Sequence, residues 1–197
     1  MSTIYKSREI TAFFRDKQLK FAVEDAMTNK LDKSMYKIAL KFIPLDKDNK
    51  AKKEEIMAHY MDVSEVKRLI HHVLNKQNLT GLYNASEKKQ GNDVPCYKDM
   101  KGGQTSEGIK SRILTFVETN GEYFFQLSLH DGRKYGQGAV VPTSGPKKKL
   151  YIKLSGAELE TLAIELRDYI QQKEVRQFHF YHYTDMMPVQ DQERKNA

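Results

Sequence analysis

The sequence predicts an α+β fold in which one unit, an antiparallel four-strand sheet followed by a helix, occurs twice and is joined by long loops. Three observations predict it. First, "IMAHYMDVSEVKRL" (56–69) and "KLYIKLSGAELETL" (149–162) share one plan: a short strand, a capping residue, a Glu three places on, then an apolar helical stripe. Second, superposing Ser155 on Asp62 puts Glu158 on Glu65, Leu159 on Val66, Leu162 on Leu69, Ala163 on Ile70 and Leu166 on Val73, so each position keeps its physical type. Third, the segments before both helices alternate apolar and polar residues, the period of a strand with one buried face.

Taken in order, "REITAFFRDKQLKFAVEDAM" carries apolar residues at both helical and strand spacings. Within it "QLKFAVE" sets Leu19, Phe21 and Val23 on one side and predicts a strand. In "SMYKIALKFIPLDKDNK", Tyr36, Ile38, Leu40 and Phe42 alternate with Lys37, Ala39 and Lys41, a half-buried strand with lysines outward. Pro44 and the polar run after it end that strand. "IMAHYM" is the next, and Asp62 with Glu65 opens a helix whose stripe is Val66, Leu69, Ile70 and Val73, fading near Asn75. Residues 76–108 are polar and contain glycine, and read as a long connection with one short strand. "KSRILTFVE", "EYFFQLSLHD", "GAVVP" and "KLYIKLS" then give four strands. Asn120-Gly121 marks a hairpin between the first two, while "DGRKYGQG" and "TSGPKKK" read as a basic loop and a turn. Ser155 and Glu158 open the last helix, which is predicted to run to about Gln172 with Leu159, Leu162, Ala163 and Leu166 inward. "VRQFHFYHYTD" reads as a further extended segment and "PVQDQERKNA" as a disordered tail. The organisation is therefore an N-terminal segment (1–33), a first sheet-helix half (34–78), a connecting loop (79–108), a second half (109–174) and a C-terminal tail (175–197), together one domain.

Composition narrows the function classes. Lys and Arg number 33 against 26 Asp and Glu, a net charge of +7 that favours polyanionic partners (DNA, RNA or an anionic membrane) without choosing among them. A single cysteine, Cys96, excludes an internal disulfide and a Cys-based zinc site, and suits a reducing compartment, most simply the cytoplasm. The start "MSTIYKSREI" has no apolar h-region, and no apolar run approaches the ~20 residues that span a bilayer, so no membrane partner is expected.

"TNGEYFFQLSLHDGRK" followed by "KKLYIKLSGAELETLAIELRDYI" resembles the second half of the Whirly domain, where a strand with a paired-Phe core precedes another strand, a short turn and an amphipathic helix. The strand, Leu-Ser, Glu, helix junction is also similar to that of the PC4-type single-stranded DNA-binding fold. The resemblance covers 109–172 and, less closely, 34–75. The plant-type Lys-Gly-Lys-Ala-Ala-Leu strand is absent; its nearest counterpart is "YKIALKF", with Lys37 and Lys41. With no evident transit peptide, the resemblance implies a bacterial or phage relative. It further implies two fused sheet-helix units, a homo-oligomer (dimer or tetramer), and binding of single-stranded DNA with little sequence preference, to protect or present strands in replication, recombination or transcription. An RNA-binding regulator on the same fold, or an oligomeric protein-interaction scaffold, are the alternatives.

Single-strand binding needs cations along phosphates and flat side chains for splayed bases. By strand parity "KKLYIKL" places Leu150, Ile152 and Leu154 inward, and Lys149, Tyr151 and Lys153 in an outward row. "EYFFQLSLHD" places Tyr123, Phe125, Leu127 and Leu129 inward, and Phe124, Gln126, Ser128 and His130 outward, which makes Phe124 an exposed stacking candidate. Arg133, Lys134, Lys147 and Lys148 lie in the adjoining loops; Lys37, Lys41 and Tyr60 are the first-half equivalents. His71 and His72 point in different directions on a helix, and His179 and His182 lack a carboxylate cluster, so no metal is expected. "KGGQTSEG" lacks the Gly-Lys-Ser/Thr ending of a phosphate loop and reads as linker. No nucleophile-base spacing stands out, so neither an enzyme nor a cofactor is expected.

Overall fold

The computed structural model describes residues 8–15, 17–27, 36–76, 97–136 and 139–185, with side chains as far as Arg176. The first sheet is an antiparallel meander of β1 (Glu9–Arg15), β2 (Leu19–Asp25), β3 (Lys37–Pro44) and β4 (Met57–Asp62), followed by α1 (Val63–Leu74). The second has five strands: β5 (Tyr97–Thr105), β6 (Gly108–Thr119), β7 (Glu122–Tyr135), β8 (Ala139–Pro142) and β9 (Lys148–Leu154), followed by α2 (Gly156–Asp185). β7 is long enough to pair with β6 along one edge and with both β9 and β8, in succession, along the other.

Both junctions form as the sequence predicts. Asp62 and Glu65 exchange the two bonds of a capping box. At α2 the Glu158 carboxylate accepts from the Ser155 backbone N–H at 2.8 Å, and the Glu158 N–H donates to Ser155 Oγ at 3.3 Å. The alternating strands turn one face inward: Phe21, Ile38, Leu40 and Phe42 from the first sheet, and Leu114, Phe116, Phe125, Leu127, Ile152 and Leu154 from the second, join one core with the helical stripes. The Phe21 and Phe125 rings stack at 5.6 Å, and Phe125 on Phe116 at 4.5 Å, so the inner faces of the two sheets share that core. α1 packs against α2, where Lys67 Nζ bonds Glu174 at 2.7 Å.

Four segments differ from expectation, each for a physical reason. "EITAFFR", ambiguous in period, is β1, held by its register with β2. Within the expected connecting loop, 97–105 is a nine-residue strand rather than a short one. Its inward residues are Tyr97, Asp99 and Lys101, all half-buried and two of them charged, so no apolar alternation marks it. Gly102 in it is a packing residue, since a Cβ there would stand 2.5 Å from Val140 Cβ. β7 runs on to Tyr135, so Arg133 and Lys134 belong to a strand, and Lys148 is the first residue of β9; neither lies in a loop. Finally, α2 continues to Asp185, and "VRQFHFYHYTD" is helical rather than extended. The sequence offers no Gly or Pro between Gly156 and Pro188 to stop it. Its middle is tied down as well: Tyr169 and Lys173 donate to Asp25 of β2 at 2.6 and 2.8 Å, and the Tyr36 hydroxyl donates to Glu174 at 3.1 Å. Cys96, the residues 79–96 of the expected loop and the tail from 186 lie outside the described residues, as do the side chains of His179 and His182.

Candidate nucleic-acid interface

The outer face of the second sheet is set by the β6–β7 hairpin. Asn120 (φ 54°) and Gly121 (φ 75°) take the left-handed conformations of a tight two-residue turn, which Gly adopts freely and Asn tolerates. This turn fixes Thr119 opposite Glu122, and hence Val117 opposite Phe124 and Thr115 opposite Gln126. β9 then places Lys153 beside Phe124, Tyr151 beside Gln126 and Lys149 beside Ser128. The result is an open groove of about 490 Å³ lined by Val117, Thr119, Phe124, Gln126, Lys149 and Tyr151.

Four of the residues predicted from sequence therefore meet in one place. Tyr151 stands 61 % exposed at the rim, a free ring face. Phe124 is half-buried in the floor rather than exposed, because Lys153 and Val117 flank it on both neighbouring strands. Lys149 is exposed and has no ion pair among the described residues, whereas Lys153 pairs with Glu122 one strand away. Val117 and Thr119 complete the groove and were not singled out by the sequence reading. The Asn-Gly turn was the available signal, because once it is placed the register names both.

The same face is closed at its other end. Val140 of β8, 7 % exposed, sits over Gly102 and Gly132, where a Cβ would stand 2.5 and 2.7 Å from it. Beneath this cover His130 is 8 % exposed, its Nδ1 lying 3.0 Å from the Ser144 carbonyl and its Nε2 2.9 Å from Ser128 Oγ. Parity placed His130 outward correctly, but β8 and the following turn fold across it, so it presents no open surface.

The remaining predicted residues scatter. Arg133 and Lys134 are exposed where β7 pairs with β8, beyond the covered end and away from the groove. Lys147 bonds Asp131 at 2.6 Å, and hydrogen bonds from Lys147 and then Lys110 hold that carboxyl below the usual carboxylate range. Lys148 donates to the Glu55 carbonyl at 2.7 Å. On the first sheet Lys37 lies 3.0 Å from Asp62, Lys41 pairs with Glu24 at 2.5 Å, and Tyr60 is half-buried beside Ala39. Among the described residues no three His, Cys, Asp or Glu stand together as a metal site, and no helix is long and apolar enough to cross a membrane.

The architecture has solved counterparts. The chain is similar to the structure of the plant transcriptional regulator PBF-2, with a TM-score of 0.51, 14 % identity and 90 % of each chain covered. It is similar also to WHY3 from Arabidopsis thaliana, with a TM-score of 0.51, 12 % identity, 85 % of this chain and 87 % of that one. The fold is Whirly-like. No family model and no curated protein matches the sequence. At these identities the likeness lies in how two sheets and two helices are arranged, and the Whirly-like arrangement accounts for the two fused units read from the sequence.

Proposed function

We propose that the protein binds single-stranded DNA with little sequence preference through the outer face of the second sheet, and protects or presents strands during replication, recombination or transcription. The observation that carries this reading is the juxtaposition of Lys149, without an ion pair among the described residues, with Tyr151 and Phe124 in one open groove. A cation for phosphate and rings for stacking are what an unpaired strand requires, and neither reads base edges, so sequence preference is weak. The net charge of +7 supplies long-range attraction for a polyanion. The Whirly-like fold supports the same reading, as it does a homo-oligomer of two or four chains. With one cysteine the chain suits a reducing compartment such as the cytoplasm.

The test is titration of a labelled oligonucleotide, single-stranded and duplex, at two salt concentrations, with the mass of the free and bound protein recorded. Single strand is expected to bind more tightly, with log K falling by roughly 0.7 per phosphate contact for each tenfold rise in salt. Equal affinity for duplex, or no salt slope, would sink the proposal. A clear preference for a matched RNA would transfer it to an RNA-binding role, since only RNA offers the 2′-hydroxyl.

A further inference from the structure

A second groove, of about 840 Å³, adjoins the first, and Lys149 and Tyr151 line both. Its far wall belongs to the first sheet: Lys17 from the β1–β2 turn, and Lys47 and Lys52 from the connection between β3 and β4. The two halves of the molecule thus meet across one strand, β9, with a groove on either side of it.

Both walls are fastened to that strand. At one end Arg15 donates from Nε to the Lys153 carbonyl at 2.8 Å and from Nη2 to Glu158 at 2.6 Å, which fixes the β1–β2 turn beside β9. At the other end Lys148 Nζ donates to the Glu55 carbonyl at 2.7 Å. Between the clamps Lys149 and Tyr151 are left exposed. Lys17 and Lys47 are exposed and have no ion pair among the described residues, and Lys52 has a loose one, 3.8 Å from Glu55. The nearby acid Asp46 is committed to its own loop, accepting from the Asp48 and Lys50 N–H groups at 2.9 and 2.8 Å. The lining thus sets four lysines, Lys17, Lys47, Lys52 and Lys149, against two carboxylates, Asp46 and Glu55, a net positive groove in which Lys17, Lys47 and Lys149 have no ion pair among the described residues.

We infer that a single strand bound on the outer face crosses β9 between Lys149 and Tyr151 and continues into this second groove, where Lys17, Lys47 and Lys52 meet its phosphates. The inference rests on the outer-face reading and extends it: the binding site spans both sheets, and the first sheet contributes through its turns. Short oligonucleotides fill the outer-face groove alone, and longer ones reach the lysines.

The experiment compares wild type with the triple variant Lys17→Gln, Lys47→Gln, Lys52→Gln on oligonucleotides from ~4 to ~16 nucleotides, the span of known single-strand site sizes. All three lysines are exposed on turns, and circular dichroism checks the fold. For the shortest strand that wild type holds, the variant is expected to match it within about twofold. For the longest it is expected to bind roughly tenfold more weakly, with a salt slope shallower by about 2, three contacts at ~0.7 each. On wild-type protein, the long strand but not the short one should protect Lys17, Lys47 and Lys52 from acetylation, read by mass spectrometry. Wild-type-like affinity and slope at every length, with no protection, overturns the crossing and leaves the outer-face site intact. A wild type that binds no single strand at all overturns both.

Discussion

The outer faces of the two sheets use the same residue types and reach opposite electrostatic states. On the first, Lys37 lies against Asp62 and Lys41 against Glu24, so these cations are consumed by carboxylates on neighbouring strands. On the second, Lys153 is consumed in the same way by Glu122, but Lys149 faces Ser128 and has no ion pair among the described residues, with Tyr151 open beside it. A strand of alternating lysines is therefore not a binding surface by itself. What decides is the residue that the register sets across from or diagonal to each lysine. The two sheets present alternating lysines alike, and cross-strand carboxylates take up Lys37 and Lys41 on the first but leave Lys149 on the second without an ion pair among the described residues.

The largest expected effect tests what the two faces share. Phe125 is 2 % exposed and stacks on Phe116 within its own sheet and on Phe21 of the other. Phe125→Ala removes a ring from the seam and should cost about 3–5 kcal/mol. Urea denaturation followed by circular dichroism should show one transition at a lower midpoint, because both sheets lose the same support. Two separate transitions, or a midpoint scarcely moved, would mean that the sheets are stable independently and that their faces can be compared only as separate domains.

The next effect separates the faces. Tyr151→Ala should weaken single-strand binding by about 1–3 kcal/mol, the range for loss of one stacking ring. The double variant Lys37→Gln, Lys41→Gln should change it by less than about twofold, since neither cation is free. Fluorescence anisotropy at fixed salt reads both. Losses of equal size would show that the ion pairs of the first sheet open to receive phosphate, and the contrast between the faces would disappear.

Much of this fold could be read in the sequence because its signals are local. Alternation in "YKIALKF" and "KLYIKL", an Asn-Gly turn, and a capping residue followed by Glu each involve a few consecutive residues. What was hidden depends on distant partners. β5 carries Asp99 and Lys101 inward because they meet His59 at 2.8 Å and Asp62 at 3.3 Å, which no pattern within "YKDMKGGQT" reveals. His130 follows its parity but lies under β8, and Val117 enters the groove only through register. The alternating "FHFYHY" reads as extended, yet its backbone continues α2, since nothing in that stretch breaks a helix. The four groove residues were found because parity on two adjacent strands is also local. The pairing state of each lysine was not, being a property of the assembled sheet.

The smallest effect concerns the two helix caps, where the halves differ in which acid titrates. In the first the N-cap itself is the acid. Asp62 is held below the usual carboxylate range first by the hydrogen bond from Lys37, then by Lys101, against an opposing contribution from burial. In the second the cap is Ser155, which does not titrate, and the acid is Glu158, lowered first by its hydrogen bond from Arg15. A carboxyl lowered in the folded state stabilises at pH values above its unfolded pKa, near 4, and that contribution is lost as the pH falls through the folded value. Asp62→Asn keeps a good N-cap and removes the charge. Because Asp62 is 47 % exposed, its two ion pairs should contribute only about 0.2–1 kcal/mol each at neutral pH. Urea midpoints of wild type and Asp62→Asn should therefore differ at pH 7 and converge as the pH falls below the usual carboxylate range and wild-type Asp62 becomes protonated. Glu158→Gln should follow the same course through loss of Arg15, whereas Ser155→Ala should cost about 0.5–2 kcal/mol, of which only the part carried by its hydroxyl bond to the Glu158 carboxylate fades in acid. A gap for Asp62→Asn that persists undiminished in acid would mean that the carboxylate acts through shape rather than charge, and that the two caps are electrostatically alike after all.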